Sequence, residues 1–177
     1  MNTLTSSLEF SHFPVMLSEI IQIASPEKGG LFIDCTFGGG SYSNALLKFP
    51  KTKVIGIDRD EAVISRANEL QKKYQKRFKF YQIKFSELDK ILNKNADTII
   101  FDLGLSSIQL KNLNRGFSFK SKNKLDMAMG LNNISAQEAI NNLSEKHLKL
   151  IIKILGEETE ASNICLLYTS PSPRDSS

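Results

Sequence analysis

Apolar residues gather in four short runs over the first 102 positions, "LFIDC", "KVIGID", "FKFYQI" and "DTIIFD", and the stretches between them have helical character. That alternation predicts strands joined by crossover helices, hence a parallel sheet, and assigns the first half of the chain to the α/β class. Between the second and third runs, "DEAVISRANELQKKYQK" sets Ala62, Ile64 or Ser65, Ala67 and Leu70 at helical spacing, with Asp60 as the expected N-cap. Its Lys and Arg residues lie toward the end that suits the helix dipole. "FSELDKILNK" predicts a short helix capped by Ser86, with Leu88, Ile91 and Leu92 facing inward.

After Asp102 the period is lost. "LGLSSIQLKNLNRGFSFKSKNKLDMAMG" carries the turn and cap residues of a long irregular connection, and long loops after a strand end tend to be functional. Helices are expected again at "SAQEAINNL", where Ser135 and Glu138 read as a capping box, and through "SEKHLKLIIKIL" and "GEETEASNI". The closing "LLYTSPSPRDSS" follows that helix in mid-stride with a Ser/Pro cluster expected neither to continue nor to cap it. It reads as translated non-native sequence such as a vector junction, and roughly the last dozen residues are set aside from fold reasoning.

Composition changes this picture little. A chain of 177 residues is about one domain long, and 41% hydrophobic with 24% charged residues is ordinary for a soluble protein. No run approaches the ~18 apolar residues of a membrane span, and the N-terminus lacks a basic stretch followed by an apolar core. The expectation is a cytoplasmic protein without a membrane segment. Cys35 and Cys165 are too far apart to suggest a metal knuckle or redox pair, and a net charge of +4 does not by itself imply nucleic acid.

Candidate chemistry begins at "DCTFGGGSYS". Glycine after a first strand lets backbone turn and approach a ligand closely, although a merely tight strand-to-helix turn explains Gly38, Gly39 and Gly40 equally well. Asp58 tips the balance. It ends the second run twenty residues beyond Gly38, where a carboxylate can accept hydrogen bonds from both hydroxyls of an adenosine ribose. The glycines do not fall in G-x-G-x-x-G register, so S-adenosylmethionine, which has no pyrophosphate to seat, fits better than a dinucleotide. Asp102 ends the fourth run in "FDLGLSS", beside the expected switch point; a loop-fixing aspartate is the alternative reading.

Seven motifs, "HFPVM", "DCTFGGGSYS", "GIDRD", "DLGLSSIQL", "RGFSF", "LDMAM" and "LGEE", stand in the order and spacing of a known family. From about His12 to Ile164 the chain resembles the bacterial methyltransferases called RsmH or MraW, which modify N4 of a cytosine in small-subunit ribosomal RNA. The resemblance implies a Rossmann-like S-adenosylmethionine-dependent methyltransferase sheet with its first four strands present, an inserted helical domain, and an incomplete whole. It divides the chain into a cofactor-binding part at 1–110, a loop and the start of a helical substrate-recognition insertion at 111–164, and the foreign tail at 165–177.

The resemblance also places cofactor contacts on Gly40, Ser41, Tyr42, Asp58, Phe85, Asp102 and Gln109, and names 16S ribosomal RNA in the small subunit as partner, with no metal. Ser41 stands where a second glycine is usual, Tyr42 where many members have histidine, and Ala128 where arginine is usual. A carboxylate accepting one N–H of the target amine would localise its lone pair and later take the proton, and Asp102 is the candidate. Arg115 is a candidate phosphate contact with Phe117 and Phe119 stacking on bases, though both phenylalanines fit equally as core anchors for the loop. His12 is a candidate substrate residue in a segment that folds over the site, or a structural histidine; His147 is expected to be merely solvated. Competing readings are a methyltransferase for DNA or a small molecule, a nicotinamide-dependent oxidoreductase, and a non-catalytic nucleotide- or RNA-binding fragment. With strands beyond the fourth missing, the chain itself is expected to bind cofactor weakly and to be inactive.

Overall fold

The computed structural model describes residues 14–92, 95–131 and 134–169. These divide into two compact units, one of residues 14–111 with Met129–Leu131, the other of Asn112–Ala128 with 134–169. The first unit runs α1 (Leu17–Ala24), β1 (Gly30–Asp34), α2 (Ser41–Leu47), β2 (Thr52–Asp58), α3 (Ile64–Tyr74), β3 (Phe78–Gln82), β4 (Thr98–Ile100) and α4 (Ser107–Lys111). The second contains α5 (Ala136–Asn142), α6 (Glu145–Leu155) and α7 (Ala161–Thr169). Among the described residues no helix is long and apolar enough to cross a membrane.

All four strands are parallel and lie in the order β3-β2-β1-β4. The chain therefore winds from β1 to one side through β2 and β3, then crosses to the other side for β4. Strand order reverses between β1 and β4, which opens a crevice at their carboxyl ends. The strands alternate strictly. Phe32, Val54 and Phe78 stand in register on one face, where Leu46 and Leu47 of α2 and the trio Val63, Ala67 and Leu70 close over them. Ile33, Cys35 and Ile57 occupy the other face beneath Leu88, Ile91 and Leu92. Burial of each large side chain contributes roughly 1.5–3 kcal/mol, so the sheet with its two covered faces is the main source of order in this unit.

One aromatic ring shapes the glycine turn. Phe37 is buried, with Phe78 and Phe80 at 5.7 and 5.3 Å between ring centroids. A Cβ on Gly40, whose φ is +73°, would come within 2.6 Å of this ring, and a Cβ on Gly56 within 2.8 Å. Gly40 is thus required both by a left-handed backbone and by an aromatic wedge beneath it.

Several expectations shift in detail. The segment after Asp60 opens with a 3₁₀ turn, Glu61–Val63, before α3, and Asp60 caps that turn by accepting the Ala62 N–H at 3.1 Å. The tighter turn rotates the inward face, so Val63 is buried while Ala62 and Ser65 are exposed. Phe85–Lys90 is likewise 3₁₀, preceded by Lys84 with no side-chain cap; Ser86 does not cap it, although Leu88, Ile91 and Leu92 do face the core. "DTIIFD" supplies only three ladder residues, because β4 has β1 as its single partner among the described residues and Phe101 leaves the ladder to meet Phe85. The Ser135–Glu138 capping box is present. The last helix begins at Ala161, not within "GEET", and runs on through Leu166, Leu167 and Tyr168; the Ser/Pro cluster that follows lies outside the described residues. Cys165, fully buried, anchors that helix, and neither cysteine is in a disulfide.

Candidate cofactor site

A cleft of about 410 Å³ lies at the carboxyl ends of β1, β2 and β4, wholly within the first unit. Of the residues expected to bind cofactor, Ser41, Tyr42, Asp58, Phe85, Asp102 and Gln109 line it. Gly40 does not; Gly38 and Gly39 take its place on the wall, while Gly40 makes the turn behind them over Phe37. A Cβ on Gly39 would meet nothing within 4 Å, so the surface it presents to the cleft is open space.

Asp58 is fixed by backbone at both oxygens. Oδ2 accepts the Gly38 N–H at 2.8 Å and Oδ1 the Asp60 N–H at 2.9 Å. Each oxygen keeps a second lone pair, and a carboxylate held this way is pre-oriented to accept from a vicinal diol. Burial, aided by the Asp60 charge, raises its pKa against the lowering effect of the Asp60, Gly38 and Arg59 backbone N–H groups. Phe85 stands edge-to-face against Phe101 with centroids 5.5 Å apart, an apolar wall suited to a nucleobase.

Asp102 is exposed at the mouth of the cleft, and its backbone N–H donates to Thr36 Oγ1 at 2.8 Å. Thr36 therefore ties the end of β1 to the end of β4 and sets where the carboxylate begins. Tyr42 is buried and its hydroxyl donates to the Val15 carbonyl at 2.5 Å, anchoring the segment ahead of α1 to the cleft. Burial first, and the Asp102 charge second, push its pKa up to about 12. At the floor, Asp34 is completely buried and accepts from Ser43 Oγ at 2.7 Å, while its Oδ1 has no partner of good geometry. Desolvation pushes its pKa up to about 6 against the lowering effect of Ser43.

Gln109 is held at both ends of its amide: Nε2 donates to Asp60 Oδ2 at 2.8 Å and Oε1 accepts the Ser106 N–H at 2.9 Å. The loop after β4 is thereby strapped to the turn after β2. Arg59 Nε donates to the Met129 carbonyl at 2.8 Å, and the Gly130 backbone packs directly on Arg59, which brings Met129 to the cleft wall. Sequence reasoning missed Thr36, Asp34, Asp60 as a strut, and Met129. Only "DCT" at a strand end offered any signal for the first two.

The remaining candidates lie elsewhere. His12 falls outside the described residues. Arg115 belongs to the second unit, where its Nη2 donates to the Ala128 carbonyl and its guanidinium lies 5.3 Å from the Phe117 ring centroid. Phe119 is not a core anchor but fully exposed. His147 is exposed and pairs with Ser144 at 2.9 Å.

A ribose-ready carboxylate, an aromatic wall, an open glycine surface and a second carboxylate at the switch point fit an adenosine cofactor carrying positive charge. Fold and cleft together define part of a Rossmann-like methyltransferase. Residues 9–167 match the MraW methylase family, and the chain belongs to that family. It is 43% identical over 155 residues to the ribosomal RNA small subunit methyltransferase H of Rickettsia massiliae, covering 87% of this chain and 50% of that protein. The protein of the same name from Orientia tsutsugamushi is 43% identical over 155 residues, with 86% and 50% covered. That from Rickettsia akari is 41% identical over 155 residues, with 87% and 51% covered. The chain spans about half the length of the curated relatives it matches.

Proposed function

We propose that this chain carries the cofactor-binding part of an S-adenosylmethionine-dependent methyltransferase that modifies N4 of a cytosine in 16S ribosomal RNA of the small subunit. The observation that supports this reading most is the pairing of Asp58 and Asp102 on one cleft, one half-buried and held by backbone N–H groups, the other exposed at the mouth. Relatives named for ribosomal RNA methylation supply the substrate. Such a substrate implies action in the cytoplasm, where ribosomes are assembled.

Asp58 holds the ribose hydroxyls, and Phe85 with Phe101 shields the base from water. Bound S-adenosylmethionine supplies an electrophilic methyl group on a positively charged sulfur. The protein's main task is to align the acceptor for in-line displacement, with the reacting atoms about 3 Å apart. Asp102 accepts an N–H of the exocyclic amine, concentrates its lone pair and receives its proton after transfer. Thr36 fixes the backbone from which Asp102 projects, and the Gln109–Asp60 strap keeps the following loop in register with Asp58.

The test incubates the chain and labelled S-adenosylmethionine with unmethylated small subunits, and separately with DNA. Label in 16S RNA supports the reading, label in DNA transfers the activity to another amino-group substrate, and cofactor binding without transfer reduces the chain to a binding fragment. Where transfer occurs, Asp102→Asn should lower turnover at least ~100-fold with a much smaller loss of cofactor affinity. Equal losses in both would reassign Asp102 to cofactor binding.

A further inference from the structure

We propose that the loop at residues 113–125 is a single-stranded RNA platform on which Phe119 stacks a nucleobase while Lys120, Lys122 and Lys124 hold the adjoining phosphates. The proposal rests on the ribosomal RNA reading above and deepens it by naming a surface. Its starting point is a contrast between two phenylalanines one residue apart. Phe117 is half-buried under the Arg115 guanidinium, whereas Phe119 is exposed to 111% of its reference area among the described residues.

That exposure belongs to a well-built loop. Ser118 accepts the Lys120 N–H on its Oγ at 3.2 Å and the Ser121 N–H on its carbonyl at 2.9 Å, forming the turn that carries Phe119. Ser121 Oγ donates to the Leu113 carbonyl, Asn123 Nδ2 donates to Asn114 Oδ1, and the Met127 N–H donates to the Arg115 carbonyl at 2.8 Å. The ring is thus held out on a scaffold of side-chain to backbone bonds, which lowers the ordering entropy lost on binding.

Charge selects the partner. Between Asn112 and Ala128 the cations are Arg115, Lys120, Lys122 and Lys124, and the sole carboxylate is Asp126. The three lysines are exposed. An aromatic ring flanked at its turn by Ser118 and Lys120 is poorly suited to a dry protein interface, whose core excludes lysine and serine. Aromatic stacking beside backbone-tracking lysines is how sequence-tolerant single-stranded recognition works.

The experiment uses the whole 177-residue chain and a fluorescent single-stranded RNA 12-mer containing 2-aminopurine. Phe119→Leu should weaken binding about tenfold and abolish 2-aminopurine quenching, while Phe119→Tyr keeps both. Replacing Lys120, Lys122 and Lys124 together by glutamine should flatten the log-affinity against log-salt slope by about 2, at roughly 0.7 per lost phosphate contact. Circular dichroism checks that each variant stays folded. A Phe119→Leu variant that binds and quenches like the parent overturns the platform, as does a photo-crosslinker at position 119 that labels ribosomal protein instead of RNA on small subunits. A chain that binds S-adenosylmethionine but no RNA also overturns it, and leaves the cofactor reading standing. A chain that stacks RNA on Phe119 yet transfers no methyl group supports the platform and agrees with a chain that carries only part of the enzyme.

Discussion

The two units handle apolar side chains in opposite ways. In the first, the sheet and its helices bury Phe32, Ile33, Leu46, Leu47, Ile57 and Phe78 to 1% exposure or less. In the second, Leu148, Ala161 and Cys165 are buried, while α6 leaves Leu150, Ile151, Ile154 and Leu155 in contact with solvent. A sheet covered on two faces closes its own core. A helical hairpin with one or two seams does not, and its amphipathic pattern alone cannot say what meets the remaining face. Cohesion among the described residues is therefore concentrated in the unit that builds the cleft at the strand ends.

The sharpest way to break the comparison is Phe32→Ala. Emptying the centre of the first unit should cost about 3–5 kcal/mol, read as a lower urea midpoint by circular dichroism. A loss below about 1 kcal/mol would mean that the sheet is not the cohesive element. Asp58→Ala leaves the core alone and should cost about 2–4 kcal/mol of S-adenosylmethionine binding by calorimetry, because a charged acceptor is lost and two hydroxyls go unpaired. Unchanged affinity in a folded variant would dissolve the ribose assignment.

A buried carboxylate adds a pH signature. Burial pushes the Asp34 pKa up from an ordinary 3.8 to about 6, so between these values the native state binds more protons than the unfolded chain. Its contribution is fully present at the acid end and fades as pH rises through about 6, by up to about 3 kcal/mol in total. Asp58, also raised, acts with the same sign. Urea titrations of the parent and Asp34→Asn across this window should diverge as pH rises, with the variant the flatter; parallel curves would refute the assignment. Ile154→Ser, on the exposed face of α6, should change stability by no more than about 0.5 kcal/mol. A large loss there would show that the α6 face is covered after all.

The strands and Asp58 were legible because short continuous apolar runs and a carboxylate at a strand end are local signals. Burial of Val63 was not, since the 3₁₀ turn Glu61–Val63 changes the spacing only at the start of this segment, while Ala67 and Leu70 stay inward. Phe37 hid inside a glycine-rich turn that reads as loop. The links from Thr36 to Asp102 and from Gln109 to Asp60 join residues 66 and 49 positions apart, beyond the reach of any spacing rule. Phe117 and Phe119 look alike in sequence, and only the Arg115 guanidinium, stacked on one and absent from the other, separates them.

The wedge of Phe37 between Gly40 and Gly56 has an evolutionary corollary. A methyl group at either glycine collides with the ring, so neither position is free to vary while the ring stays. A lineage that shrinks the ring relieves both of its contacts at once, leaving the left-handed backbone at position 40, and the Phe78 ring 3.1 Å from a Cβ at position 56, to resist a side chain. Positions 37 and 56 should therefore drift together, an inheritance unit made by one benzene ring rather than by any ligand.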